Sequence, residues 1–112
     1  MESDKMPFKR PKILKGTTRK VNLACGKMYI IINRTDDGKI KEVFVRLGKS
    51  GSCFQTTTGV ITFLLTRMLR KGISPEELAD CLTGFRCSVN DLNYTSCMDA
   101  IGKELLKECK GE

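Results

Sequence analysis

The sequence predicts an α+β fold, a small antiparallel three-stranded sheet in meander order with two to three helices packed on one face. Three observations carry this. β-Branched apolar runs fill the first half and are punctuated by Gly26 and by Asp36-Asp37-Gly38. After Cys53 the apolar spacing lengthens to that of a helix. Two further helix starts are written as Ser74-Pro75-Glu76-Glu77 and Ser96-Cys97-Met98-Asp99. At 112 residues the chain has room for one modest core and is too short for a large enzyme with a deep central cleft.

Residues 1–18 read as a basic N-terminal arm and 19–112 as a single domain. Lys5, Lys9, Arg10, Lys12 and Lys15 lie in the arm among prolines, with too few apolar residues to form part of a core. Val21 to Cys25 alternates and forms the first strand, and Met28 to Ile32 forms the second. The uninterrupted Tyr29-Ile30-Ile31-Ile32 implies a middle strand covered on both faces or placed at a homo-oligomer contact. Thr35 to Gly38 is a hairpin turn, so Ile40, Val43, Phe44, Val45 and Leu47 return antiparallel as the third strand.

Phe54, Ile61, Leu64, Leu65, Met68 and Leu69 mark an amphipathic helix to about Lys71, which Gly72 ends. Ser74 caps a short second helix through Leu82, with Pro75 at its first position and Glu77 closing a capping box. Ser96 caps the last, from about Cys97 to Glu108, with Asp99 placed to reach back as a shortened box.

The net charge is +7, which points to an anionic partner: a nucleotide, a nucleic acid or an acidic protein surface. Without a groove-reading helix or an aromatic stacking platform in view, DNA binding is expected to be weak and non-specific. No stretch is long and apolar enough to span a bilayer, and the N-terminus lacks the order of a signal peptide, so a cytoplasmic location is expected. Six cysteines in that compartment are not expected to be structural disulfides. The chain has no histidine, which excludes serine-type triads, cysteine-histidine nucleophiles and mixed Cys/His zinc sites. Any zinc would be held mainly by thiolates.

Cys81 and Cys109 fall inside helices and read as incidental thiols. Cys25, Cys53, Cys87 and Cys97 fall at element ends, spaced C-x27-C-x33-C-x9-C, where a compact fold brings distant ends together. Burial, a metal site and a redox pair all remain open for them. The Gly48-Lys49-Ser50-Gly51-Ser52 string is not a Walker A loop, because Val43 stands where that motif needs its first glycine. A glycine-rich turn between a strand and a helix start, with Lys49 nearby, nonetheless suits an anion.

A resemblance emerges from several motifs in order. They are Arg10-Pro11, Gly16-Thr17-Thr18 and Ala24-Cys25-Gly26-Lys27-Met28-Tyr29-Ile30; then Glu42 to Gly51 with Cys53; then Gly84-Phe85-Arg86-Cys87; and finally Thr95-Ser96-Cys97-Met98-Asp99-Ala100-Ile101. Together they resemble the TSCPD domain, the C-terminal module of adenosylcobalamin-dependent ribonucleotide reductases, here like its small standalone four-cysteine relatives. Met98 stands where the motif has proline, and the early helical position tolerates either.

The resemblance implies an accessory or regulatory module acting with a separate reductase catalytic chain. It implies that Cys25, Cys53, Cys87 and Cys97 hold a structural zinc as a tetrathiolate. No counterpart of the catalytic barrel or of its cobalamin site is present in these residues, so no catalysis is expected from the chain alone. The alternative is a free-standing protein that binds a nucleotide or phosphate ligand at Gly48 to Ser52, as a sensor or by sequestration.

Overall fold

The computed structural model describes residues 8–23, 26–47, 53–86, 94 and 96–112, with the side chains of 53 and 54 left aside. Strands β1 (Lys15–Leu23), β2 (Gly26–Arg34) and β3 (Ile40–Leu47) form an antiparallel sheet in the order β1-β2-β3. Helices α1 (Cys53–Arg70), α2 (Pro75–Leu82) and α3 (Cys97–Lys110) follow. α1 packs against β3, α3 rests on β1 and β2, and α2 packs on α3.

One face of the sheet is the core. Val21, Met28, Ile30, Ile32 and Val43 point into it and meet Leu65 and Leu69 of α1 and Ala100, Ile101 and Leu105 of α3. The run in β2 therefore splits by strand periodicity: Met28, Ile30 and Ile32 are fully buried, while Tyr29 and Ile31 are only half-buried. The described helices cover one face of the middle strand, not both.

β1 begins at Lys15, six residues before the start that its apolar pattern suggests. The reason lies in what its core-side positions meet. Arg19 faces the carboxylates of Glu104 and Glu108 on α3, so this half of the strand is stabilised by ion pairs and shows no apolar alternation. The segment before β1 is also tied to the domain. Arg10 Nε donates to Glu42 at 2.6 Å, and the Phe8 ring lies 5.4 Å from the Arg70 guanidinium and 5.7 Å from Lys41 Nζ.

α1 presents an unexpected side to the sheet. Thr58, Thr62 and Thr66 are buried beside Leu65 and Leu69, whereas Val60, Phe63 and Leu64 are about half exposed. The helix lies along the outer edge of β3, where the backbone groups turned away from β2 have no strand partner among the described residues. Thr66 Oγ1 satisfies both groups of Val43, accepting from its N–H and donating to its carbonyl at 3.0 Å each. α1 thus covers this edge, with the Thr66 hydroxyl standing in for a strand partner at Val43.

The serine N-caps form as read, without the return bonds expected of the Glu77 and Asp99 side chains among the described residues. Ser74 Oγ accepts from Glu77 N–H and Ser96 Oγ from Asp99 N–H. The Asp99 carboxylate turns elsewhere: its Oδ1 accepts from Gly84 N–H at 2.8 Å and its Oδ2 pairs with Lys103 at 2.9 Å. A Cβ on Gly102 would stand 2.8 Å from the Ala79 carbonyl oxygen, so the missing side chain lets α2 and α3 approach.

Candidate functional site

The described residues that flank the four cysteines in sequence lie toward one end of the molecule. The β1–β2 connection joins Leu23 to Gly26, and Met28 next to it pairs with Leu47, the last residue of β3. α1 runs away from this end, since Thr66 meets Val43 and Arg70 meets Glu42 farther down the sheet. Its first residue, Cys53, is therefore at the Leu47 end. α3 has the same sense: Glu108 near its C-terminus pairs with Arg34 at the far end of β2, and Cys97 opens the helix. Gly84, three residues before Cys87 in sequence, is hydrogen-bonded to Asp99 in the first turn of α3.

Of the four predicted ligands, Cys97 is described and is half-buried. Cys25, Cys87 and the side chain of Cys53 lie outside the described residues, as do Gly48, Lys49, Ser50, Gly51 and Ser52. Cys81 is exposed on α2. Cys109 is half-buried on α3 and lines a pocket of about 320 Å³ with Arg34, Lys39, Lys41 and Pro75, at the end of the sheet away from Cys97. Burial pushes its thiol pKa up, so it is held neutral and is not an activated nucleophile.

Two buried carboxylate networks escaped the sequence reading. In the first, Glu42 is 1% exposed and accepts from Arg10, from Asn33 Nδ2 at 2.8 Å and from Arg70. In the second, Glu104 and Glu108 of α3 share Arg19. Glu104 also accepts from Tyr94 Oη at 2.7 Å and pairs with Lys107, while Glu108 pairs with Arg34 at 2.7 Å. The available signal was positional: Glu104 and Glu108 interrupt the apolar stripe of α3 beside Ile101 and Leu105, and Glu42 sits within the apolar run of β3. Charges at such places need buried partners.

Burial opposes the charge on each of these carboxylates, and their donors outweigh it. Arg10 and Asn33 hold Glu42 below the usual carboxylate range; Arg19 with Tyr94 and Lys107 does so for Glu104, and Arg19 with Thr17 for Glu108. A depressed folded pKa contributes stability that is fully present above the unfolded value, about 4.3, and is lost as pH falls through the folded value. Stability should therefore be level from neutral pH to about 5 and decline steeply below about 4. Urea midpoints measured across that range check this, and a midpoint unchanged down to about pH 3 would contradict it.

No helix among the described residues is long and apolar enough to cross a membrane. The chain matches the TSCPD domain family over residues 4–108. It is 29% identical to the vitamin B12-dependent ribonucleotide reductase of Bradyrhizobium diazoefficiens (strain USDA 110), an alignment that covers 93% of this chain and 9% of that protein. To the vitamin B12-dependent ribonucleotide reductase of Agrobacterium fabrum (strain C58) it is 27% identical, covering 93% of this chain and 8% of the relative. The chain thus spans less than a tenth of the length of these curated relatives. No solved structure matches it. With the family's sequence pattern running through the sheet and all three helices, the chain belongs to the TSCPD domain family and is a ribonucleotide-reductase-related module.

Proposed function

We propose that the chain is an accessory or regulatory module of deoxyribonucleotide synthesis, acting in trans on a ribonucleotide reductase catalytic chain in the cytoplasm. The observation that carries this reading is the family match over residues 4–108, joined to relatives that are themselves ribonucleotide reductases. On this proposal the module contributes binding, and the catalytic chain supplies the chemistry.

In this reading Cys25, Cys53, Cys87 and Cys97 hold a zinc ion. The convergence of their described flanks at one end of the sheet supports it, and so does the donor set, since four thiolates suit a closed structural zinc site. Zinc there would pin the β1–β2 connection and the starts of α1 and α3 together. The phosphate-ligand alternative at Gly48 to Ser52 rests on sequence alone.

The test uses the ribonucleotide reductase catalytic chain of the same organism, purified. Mixed with this protein it should co-elute on size exclusion, and its turnover or its response to nucleotide effectors should change. Absence of both effects at micromolar concentrations of each chain would sink the reading.

A further inference from the structure

The face of the sheet opposite the core carries no described helix. Strand register shows what stands on it. Lys20, Tyr29 and Arg46 lie in one row across the three strands, and Thr18, Ile31 and Phe44 lie in the next. Two residues along a strand separate the rows by about 7 Å. Phe44 is 40% exposed, Tyr29 and Ile31 are half-buried, and Lys20, Arg46 and the neighbouring Lys27 are exposed. None of these three aromatic or aliphatic side chains belongs to the core cluster or packs against it.

Among the described residues the exposed charge on this face has one sign. Lys20, Lys27 and Arg46 enter no salt bridge among the described residues. The acidic residue of β3, Glu42, is buried and neutralised by Arg10 and Arg70. Two aromatic rings on adjacent rows, bordered by cations and, among the described residues of the strands, free of exposed carboxylates, match a strand of unpaired bases. Rings accept base faces by stacking, and lysine and arginine follow the phosphates. A duplex hides its base faces and would be held by charge alone.

We infer that this open face is a binding site for single-stranded nucleic acid, with Tyr29 and Phe44 as stacking residues and Lys20, Lys27 and Arg46 as phosphate contacts. The expectation of a chain without an aromatic platform is corrected by register. Tyr29 and Phe44 are fifteen positions apart in sequence, and the β2–β3 pairing makes them diagonal neighbours. This site goes beyond the reductase reading and does not depend on it.

The experiment titrates the full chain with fluorescein-labelled oligothymidylate of about 12 nucleotides, its oligouridylate equivalent, and a duplex of equal length, following anisotropy at several salt concentrations. Single strands should bind more tightly than duplex at moderate salt. Phe44→Ala and Tyr29→Ala should each weaken single-strand binding about tenfold or more and leave duplex binding almost unchanged. Tyr29→Phe should keep affinity, which separates stacking from loss of fold, and circular dichroism of each variant confirms the fold.

The chain has no tryptophan and two tyrosines, so bound bases should quench intrinsic tyrosine emission in the wild type and not in Tyr29→Phe. Lys20→Gln and Arg46→Gln should flatten the salt dependence. Duplex bound as tightly as single strand, or single-strand affinity indifferent to Phe44→Ala and Tyr29→Ala in folded protein, would overturn the proposal. Binding abolished by neutralising the basic residues before Lys15, with the sheet variants silent, would overturn it as well.

Discussion

Replacing Glu42 with alanine is expected to cost about 3–5 kcal/mol, a large share of the stability of a domain this size. Its carboxylate is 1% exposed and collects Arg10, Asn33 and Arg70, so its removal leaves the Asn33 amide and the Arg70 guanidinium facing each other without an acceptor. The loss is larger than the pair's own net worth, because Asn33 and Arg70, half-buried and 28% exposed, lose an acceptor that water only partly replaces. Arg10→Ala should cost far less, within about 1 kcal/mol, since Arg10 is 44% exposed and water can replace it. Urea denaturation of the two variants at neutral pH gives the contrast. Equal losses, or a Glu42→Ala loss below about 1 kcal/mol, would show that the network is incidental.

Glu42 also joins the chain before β1 to the end of α1. Arg10 reaches it from one side and Arg70 from the other, and Phe8 lies against Arg70 and Lys41. A segment that composition marks as a solvated arm is thus anchored by one charge and one ring. Its low apolar content was legible in the sequence. Its attachment was not, because the partner stands 32 residues away inside a strand that otherwise reads as apolar.

What sequence conveyed well was whatever is local. The hairpin turn at Thr35 to Gly38, where Gly38 has φ of 87°, and the caps at Ser74 and Ser96 all depend on neighbours within a few residues. What it conveyed poorly depends on pairing across the fold. The first half of β1 lacks apolar alternation because Arg19 faces Glu104 and Glu108. On the inner side of α1, Thr66 bonds the strand edge at Val43, while Thr58 and Thr62 bury their hydroxyls by donating to carbonyls of their own helix. In both places polar chemistry replaces apolar burial, and a reading based on hydrophobic period has nothing to detect.

The cysteine assignment makes the sharpest demand on measurement. If Cys25, Cys53, Cys87 and Cys97 bind one zinc, replacing any of them with serine should cost several kcal/mol and lower the metal content, because the binding free energy of a structural metal is largely folding free energy. The two remaining cysteines supply the comparison. Cys81 is exposed on α2, so Cys81→Ser should change stability by no more than about 0.5 kcal/mol. Cys109 is half-buried, and a hydroxyl in its place should cost about 1–3 kcal/mol with no effect on metal. Chemical denaturation of the six single variants, with elemental analysis of each and of the parent purified without added metal, gives two independent readouts. The zinc reading requires them to move together at four positions and to separate at the other two. A metal-free parent, with all six variants ranked only by burial, would return the four residues to the role of packed thiols and leave the family assignment intact.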